Sequence, residues 1–237
     1  MVAGLRHIIN NPNSGSPPYH ICLPTNIAIP NYVAQTLELL PQFVLSRVSD
    51  IGPDDVLIEN YGEPIRSDGY LADHECFVFL RNLFLKAPYT VAPSRKLYIR
   101  RSRAHLCEGN AADGASGKRR HIVNEDELCA SLQEVGIESI FLEDYTVAEK
   151  IAIFGDSLLV IAPNSGALVF SLFAHPDTQI IEINTTHPHQ VCEQYKHICN
   201  RLGIKHMHYR NVIKVDCLDN MYVDVSQFMD FLGKLSK

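Results

Sequence analysis

Short apolar runs alternate with amphipathic stretches of about ten residues through most of the chain after residue 94. The apolar runs predict strands at 96–101, 137–142, 157–162, 178–183 and 205–209. The stretches between and after them predict helices at 125–135, 146–155, 166–173, 188–202 and 225–235. Strands that alternate with helices are typical of a parallel sheet covered on both faces. Such a sheet binds ligands at the carboxyl ends of its strands.

The first 93 residues carry a weaker pattern. They predict strands at 19–25 and 54–59 and helices at 31–47 and 70–86. The helix at 31–47 rests on four apolar residues at helical spacing, Val33, Leu37, Leu40 and Val44. We therefore expect a small α/β unit at 1–93 and a fuller Rossmann-like unit at 94–237.

Polar residues mark the starts of two predicted helices. Asn124 directly precedes the helix at 125–135 and is a candidate cap for its N-terminus. Thr146 and Glu149 have the spacing of a capping box at the start of the next helix.

Composition excludes several classes of protein. With 46% hydrophobic and 20% charged residues, the chain resembles an ordinary globular protein. No run approaches the roughly 20 apolar residues of a membrane span, and the N-terminus lacks the apolar core of a secretory signal. The seven cysteines include no Cys-x-x-Cys pair, which favours reduced thiols and a cytoplasmic location, unless the sequence is a piece of a longer protein.

One stretch concentrates residue types that ligate metals, namely His187, His189, Cys192, His197 and Cys199. Their spacing fits no standard zinc pattern. We therefore expect no metal site and interpret them as scattered residues of a helix face.

Charge is unevenly distributed along the chain. The net charge of -6 argues against a general nucleic-acid binder. Residues 95–120 nevertheless hold eight of the 21 Lys and Arg residues and only two acids. Arg101 ends a predicted strand, Arg120 precedes a predicted helix, and the Ala- and Gly-rich stretch 105–118 between them predicts a mobile loop. Arginines on both sides of such a loop could bind a pyrophosphate group through paired hydrogen bonds. The alternative interpretation is a basic loop that is merely solvated.

A turn of small residues follows the apolar strand at 157–162. Ser165, Gly166 and Ala167 would let a phosphate or carboxylate approach the N–H groups at the start of the next helix. A plain connection has the same composition. No Asp-x-Asp sequence occurs in the chain. Fixed cations and helix N-termini can neutralise a diphosphate without a metal, so these features favour metal-independent chemistry.

Several segments occur in the order and spacing of a known family. They are Asn-Tyr-Val-Ala-Gln-Thr-Leu-Glu-Leu-Leu-Pro at 31–41, Leu-Tyr-Ile-Arg-Arg at 97–101, Arg-His-Ile-Val-Asn-Glu at 120–125, Glu-Lys-Ile at 149–151, Ala-Pro-Asn-Ser-Gly-Ala-Leu at 162–168, Phe-Ala-His-Pro-Asp-Thr at 173–178 and Ile-Glu-Ile at 181–183. Over residues 27–185 the chain resembles the family 61 glycosyltransferases.

The resemblance implies a GT-B-like α/β fold with a small N-terminal acceptor-side unit and a fuller C-terminal nucleotide-binding unit, both Rossmann-like. It implies an inverting, metal-independent hexosyl- or pentosyltransferase. The donor would be a nucleotide sugar, usually a UDP-sugar, and the acceptor a hydroxyl of a glycan or polysaccharide. No cofactor, nucleic acid or membrane span is expected.

The resemblance also assigns site residues. The nucleotide-sugar contacts would be Arg101, Arg120, Asn124, Glu125, Glu149, Asn164, Ser165, Gly166, Ala167 and Glu182. The two arginines would contact the diphosphate. Helix capping competes with a ligand role at 124, 125 and 149, and a structural hydrogen bond competes at 182. Glu38 and Asp73 are the leading candidates for the general base.

Four positions depart from the family pattern. Ala34 and Asn164 replace histidines, Gln42 replaces an arginine, and Lys150 replaces a glutamine. Asn164 can hydrogen-bond a phosphate or sugar but cannot shuttle a proton. Two other functions therefore stay open, a nucleotide- or glycan-binding module without turnover and a polysaccharide pyruvyltransferase.

Overall fold

The computed structural model of the 237-residue chain describes residues 19–23, 31–41, 43–47, 74–85, 89–101, 120–185 and 193–235. The chain divides into two compact units. One consists of Met1–Pro88 with Tyr145–Lys150, and the other of Tyr89–Asp144 with Ile151–Lys237. The domain division at residue 93 stays a prediction.

The described residues before residue 88 form two short parallel strands and two helices of the first unit. They are β1 (Tyr19–Leu23), α1 (Asn31–Glu38), β2 (Phe43–Arg47) and α2 (His74–Phe84). Strands β1 and β2 pair in parallel, with Tyr19 opposite Phe43. Buried Leu40 and Phe43 form the centre of a small apolar cluster that Phe79 and Leu83 of α2 complete. The helices predicted at 31–47 and 70–86 are thus present, although the first is shorter.

The predicted helix at 31–47 is wrong beyond Glu38, because residues 43–47 form a strand. Pro41 has no N–H to continue a helix, and a residue that precedes proline disfavours helical geometry. The chain turns there, with the Phe43 N–H donating to the Leu40 carbonyl at 2.9 Å. The strand predicted at 54–59 lies outside the described residues.

A five-stranded sheet forms the centre of the second unit. Its strands are β3 (Arg95–Arg100), β4 (Glu138–Phe141), β5 (Ser157–Pro163), β6 (Gln179–Ile183) and β7 (Lys205–Tyr209). They lie in the order β4-β3-β5-β6-β7, and every neighbouring pair is parallel. The α/β class and all five predicted strands of this region are confirmed.

Helices connect and flank these strands. They are α3 (Glu125–Glu134), α4 (Val147–Gly155), α5 (Gln194–Leu202) and α6 (Val225–Leu235). The segment Gly166–Phe173, predicted as a helix, has the tighter 3₁₀ form. An antiparallel hairpin of β8 (Val212–Lys214) and β9 (Met221–Val223), which was not predicted, precedes α6. No helix of the described ranges is long and apolar enough to cross a membrane.

The core of this unit joins the sheet to α3 and α6. Tyr98, Ile161 and Ile181 contribute from three neighbouring strands, and Phe228 and Leu232 contribute from α6 at a spacing of one helical turn. Each such side chain stabilises the fold by about 1.5–3 kcal/mol when fully buried. The core therefore holds the carboxyl ends of β3, β5 and β6 in a fixed relation.

Candidate functional site

Predicted site residues collect where β3, β5 and β6 end. Arg101 follows β3 directly, Asn164 follows β5, and Glu182 is the penultimate residue of β6. Because the strands are parallel and adjacent, their carboxyl ends lie at one edge of the sheet. Arg120 joins this group from the segment that precedes α3.

Asn164 is the centre of this group and is only 2% exposed. Its backbone carbonyl accepts a hydrogen bond from Arg101 Nη1 at 2.6 Å. Its side-chain oxygen accepts one from Arg120 Nη1, and its amide nitrogen donates to Glu182 Oε1. One asparagine thus fixes two guanidinium groups beside each other, which is the arrangement expected for the grip on an anionic group.

Arg120 has an unusual backbone, with φ of 60°. This left-handed conformation is costly for a residue with a Cβ atom. The Arg120 N–H donates to the Leu218 carbonyl at 3.1 Å, so the loop after β8 helps to hold this geometry. The arginine is kept in a strained position where its side chain reaches Asn164, which favours a functional role.

The three small residues after Asn164 begin the 3₁₀ helix. Ser165 is extended and makes no side-chain capping bond. A Cβ atom placed on exposed Gly166 would meet no atom within 4 Å, so the space beside its backbone is open. The first N–H groups of a helix have no partner inside that helix and favour an anion. This start therefore adds donors next to the two arginines.

Glu182 lies beneath Asn164, and its side chain has no exposed surface. Its Oε1 accepts from Asn164, and its Oε2 lies 3.1 Å from Nε2 of His206 and 3.8 Å from Nδ1 of His208. The structural hydrogen bond that the sequence left as an alternative is therefore present, and a nucleoside contact stays a prediction. Burial lowers the pKa of His208, although the Glu182 carboxylate opposes the shift.

Glu125 uses both carboxylate oxygens inside the second unit. Oε1 accepts from the Tyr98 hydroxyl at 2.8 Å, and Oε2 accepts from Arg100 Nε at 3.0 Å. Burial and the neighbouring Glu125 carboxylate raise the pKa of Tyr98 well above its usual value. The guanidinium of Arg100 also lies 4.8 Å above the ring of Phe141. Glu125 thus joins α3 to β3 and borders an open groove of about 580 Å³.

Asn124 occupies the N-cap position of α3, but its side chain makes no capping hydrogen bond, so the predicted capping role is wrong. The amide instead pairs with β9 in both directions. Its Nδ2 donates to the Val223 carbonyl at 2.8 Å, and its Oδ1 accepts from the Val223 N–H at 3.1 Å. The side chain of Asn124 pairs with β9 because the backbone of Val223 offers both a donor and an acceptor.

The remaining candidates belong to the first unit. Glu38 is exposed at the end of α1, and Asp73 lies outside the described residues. Glu149 is exposed in the first turn of α4, where its Oε2 accepts from the Thr146 N–H at 2.7 Å and the Thr146 hydroxyl at 2.8 Å. The capping box is confirmed, and these bonds lower the pKa of Glu149.

His206 and His208 were not among the predicted site residues. Both lie on β7, two residues apart, and therefore face the same side of the sheet. The signal was a His-x-His pair in a strand beside the Ile-Glu-Ile strand. Of the metal-ligand candidates noted in the sequence, residues 187, 189 and 192 lie outside the described residues, and His197 and Cys199 lie on α5.

The family model described as glycosyltransferase 61 matches residues 28–181 of the chain, well over half of its length. The chain belongs to glycosyltransferase family 61. This confirms the resemblance and identifies the protein as a glycosyltransferase. A comparison with curated proteins finds no match to the chain.

Family 61 membership implies a nucleotide-sugar donor and a glycan acceptor for this enzyme. Within the match lie Arg101, Arg120 and Asn164, the residues that the structure brings together. The match stops one residue before Glu182, so both histidines of β7 belong to a part of the glycosyltransferase that the family model does not cover.

Proposed function

We propose that this glycosyltransferase transfers a sugar from a UDP-sugar to a glycan or polysaccharide hydroxyl, with inversion and without a catalytic metal. The observation that carries the proposal is the pair of guanidinium groups that Asn164 holds beside the start of the 3₁₀ helix. A GT-B-like arrangement of two Rossmann-like units, with the smaller one on the acceptor side, is part of the same proposal.

The leaving group explains why this arrangement suits the reaction. Breaking the bond between the sugar and the diphosphate develops negative charge on a phosphate oxygen. Arg101, Arg120 and the N–H groups of Ser165, Gly166 and Ala167 supply fixed positive charge and donors for that oxygen. Groups that are already in place need little reorganisation when the charge develops, so they lower the barrier without a metal ion.

The acceptor side supplies the nucleophile. The acceptor hydroxyl attacks the anomeric carbon from the face opposite the diphosphate, the bond to the diphosphate breaks, and the configuration inverts. A carboxylate takes the hydroxyl proton, and Glu38 and Asp73 of the N-terminal unit are our candidates for this base.

Other predicted contacts have supporting roles in this proposal. Glu149 accepts both Thr146 bonds on Oε2, which leaves Oε1 for a ribose hydroxyl. Asn124 and Glu125 border the groove next to Arg100 and support the nucleotide side of the site. Glu182 positions Asn164 from below.

UDP binding tests the proposal directly. We expect Arg101→Ala and Arg120→Ala each to raise the Kd for UDP by roughly 10- to 100-fold, because a hydrogen bond to a charged group contributes about 1.5–3 kcal/mol. Isothermal titration calorimetry measures the change. Arg95→Ala is the matched control, since Arg95 begins the same strand and pairs with Glu138 at 2.8 Å.

Unchanged UDP affinity in both variants, with melting temperatures near that of the wild type, would remove the diphosphate role. Tight UDP binding with neither transfer nor slow hydrolysis of a UDP-sugar would instead favour a binding module. Phosphoenolpyruvate binding without UDP binding would favour the pyruvyltransferase.

A further inference from the structure

Three ligand-type side chains meet on the sheet face between β6 and β7. They are Glu182, His206 and His208, named here the β6–β7 cluster. One potential ligand atom from each lies within 4.8 Å of the other two. The side chains of Glu182 and His206 have no exposed surface, and that of His208 is 9% exposed. Their approach follows from the register, because His208 is the strand partner of Glu182.

The cluster contains more polar atoms than protein partners can satisfy. Nδ1 of His206 and both ring nitrogens of His208 are buried without a hydrogen-bond partner. Buried polar groups in proteins are almost always paired, and an unpaired one costs about 1–3 kcal/mol. One of these nitrogens, Nδ1 of His208, lies 3.8 Å from the buried Glu182 carboxylate, and an unpaired nitrogen at that place points to a missing ligand.

We propose that the β6–β7 cluster binds a zinc ion. Oε2 of Glu182, Nε2 of His206 and Nδ1 of His208 would be the protein ligands, with a water molecule in the fourth position. Two imidazoles and one carboxylate form a ligand set that zinc uses in proteins. Mg²⁺ and Ca²⁺ favour oxygen ligands, which makes them poor alternatives.

The distances need little change for coordination. Tetrahedral Zn²⁺ with bonds of about 2.0–2.1 Å places its ligand atoms about 3.3 Å apart. The observed separations from Glu182 Oε2 are 3.1 Å to His206 and 3.8 Å to His208. The widest pair of the cluster would close by at most about 1.5 Å, which small rotations of the side chains supply.

The surroundings resemble those of a metal site. Metal-bound carboxylates and imidazoles usually hydrogen-bond to outer groups that orient them. The other oxygen of Glu182 already accepts from Asn164, with Asn184 Nδ2 at 3.5 Å. The far nitrogen of His208, Nε2, lies 3.6 Å from Glu193 Oε1, where a small shift gives the carboxylate–histidine–metal arrangement.

This ion takes no direct part in the proposed transfer step. None of its ligands is a diphosphate contact of that proposal. Through Glu182, however, the ion would hold Asn164 and so stabilise the base of the site. Zinc binding and UDP binding are measured independently, so either proposal can fail while the other stands.

The test is zinc binding to the full chain. The protein is stripped with EDTA, dialysed against excess Zn²⁺ and then against buffer, and analysed by inductively coupled plasma mass spectrometry. We expect one equivalent in the wild type and in His197→Gln, a control histidine on α5. We expect at least a tenfold loss of affinity in His206→Gln and in His208→Gln. Zinc should also raise the Tm of the wild type and not that of the two variants.

Circular dichroism of the metal-free variants shows whether they fold, and Co²⁺ substitution identifies the ligands. A Co²⁺ spectrum without thiolate charge-transfer bands supports ligation by nitrogen and oxygen. The proposal is overturned by a wild type that retains no zinc, by equal zinc affinity in folded His208→Gln, or by loss of zinc in His197→Gln with thiolate bands present.

Discussion

At the scale of single residues, the candidate site depends on the neutral side-chain amide of Asn164, which lies between the guanidinium of Arg120 and the carboxylate of Glu182. Asn164 offers an acceptor to Arg120 and a donor to Glu182, and its backbone carbonyl accepts from Arg101. A histidine at this position would need a particular tautomer to do both, whereas an amide has a donor and an acceptor at all times. The departure from the family pattern is thus compatible with a well-ordered arginine pair.

Removal of this amide should cost stability. We expect Asn164→Ala to lower the free energy of unfolding by about 1–3 kcal/mol for each buried group left unpaired. Urea unfolding measures the loss. A double-mutant cycle with Glu182→Gln should show coupling of about 0.5–3 kcal/mol, because the two side chains share a buried hydrogen bond. Strictly additive effects would mean that the bond contributes nothing.

Tyr98 gives the stability a dependence on alkaline pH. Its pKa is raised in the folded state, so above pH 10.0, the ordinary tyrosine value, the unfolded chain loses this proton first. The contribution of Tyr98 to stability is therefore fully present below pH 10.0 and is lost as the pH rises from there to the raised pKa of the folded state. Tyr98→Phe lacks this loss but also lacks the bond to Glu125.

The wild type and Tyr98→Phe should therefore differ most in their free energy of unfolding near neutral pH. We expect Tyr98→Phe to be less stable by about 1–3 kcal/mol at pH 7, with a gap that narrows as the pH rises above 10. Urea unfolding across this range checks both parts. A gap of constant size would show that Tyr98 ionises equally in both states.

The sequence predicts which residue types meet, but not every pairing. Arg101, Arg120 and Asn164 were recognisable because they occupy family motifs, two of them directly after strands and Arg120 in the segment before α3. The contact of Asn124 with β9 joins residues 99 positions apart, which no local pattern encodes. The partnership of Glu182 with His206 depends on the order of β6 and β7 in the sheet, and periodicity does not determine that order.

At the scale of elements, long amphipathic segments were predicted well and short irregular ones were not. Strands β3 to β7 and helices α3 to α6 were expected because their apolar residues repeat over one or two turns or along a whole strand. The hairpin of β8 and β9 was missed because each strand has only three residues. The 3₁₀ form of Gly166–Phe173 was missed because an apolar run of eight residues suits either helix.

The start of α4 allows capping and donor binding to be separated at Glu149. Thr146→Ala and Glu149→Gln both weaken the capping box, so both should lower the Tm of the protein. Only Glu149→Gln removes the carboxylate proposed for the ribose, so only this variant should raise the Kd for UDP. Calorimetry with UDP decides, and equal affinities in the two variants would leave Glu149 as a cap alone.

At the scale of the whole molecule, the family match and the folded unit have different extents. The match ends at residue 181, but the core that supports the site continues through Tyr209, Met221, Val223, Phe228 and Leu232. These C-terminal residues pack against strands inside the match. The part of the chain beyond the match is therefore integral to the core of the second unit.

Transfer by the whole enzyme should not require a divalent metal at the diphosphate. We expect turnover to continue in excess EDTA without stimulation by Mg²⁺ or Mn²⁺, because the proposed mechanism draws the charge at the diphosphate from Arg101 and Arg120. Loss of a catalytic metal would instead slow the reaction by roughly a thousandfold or more. The assay is run below the Tm of the metal-free protein, so that removal of the zinc proposed for the β6–β7 cluster does not unfold the enzyme.

At Arg120, the left-handed backbone favours glycine for stability, whereas the proposed site requires the positive charge of an arginine. Protein engineers who seek a more stable chain would replace a strained residue of this kind with glycine, which removes a penalty of about 1–2 kcal/mol. The same replacement would delete one of the two cations beside Asn164. Under the proposed diphosphate role, catalysis and stability therefore favour different amino acids at position 120.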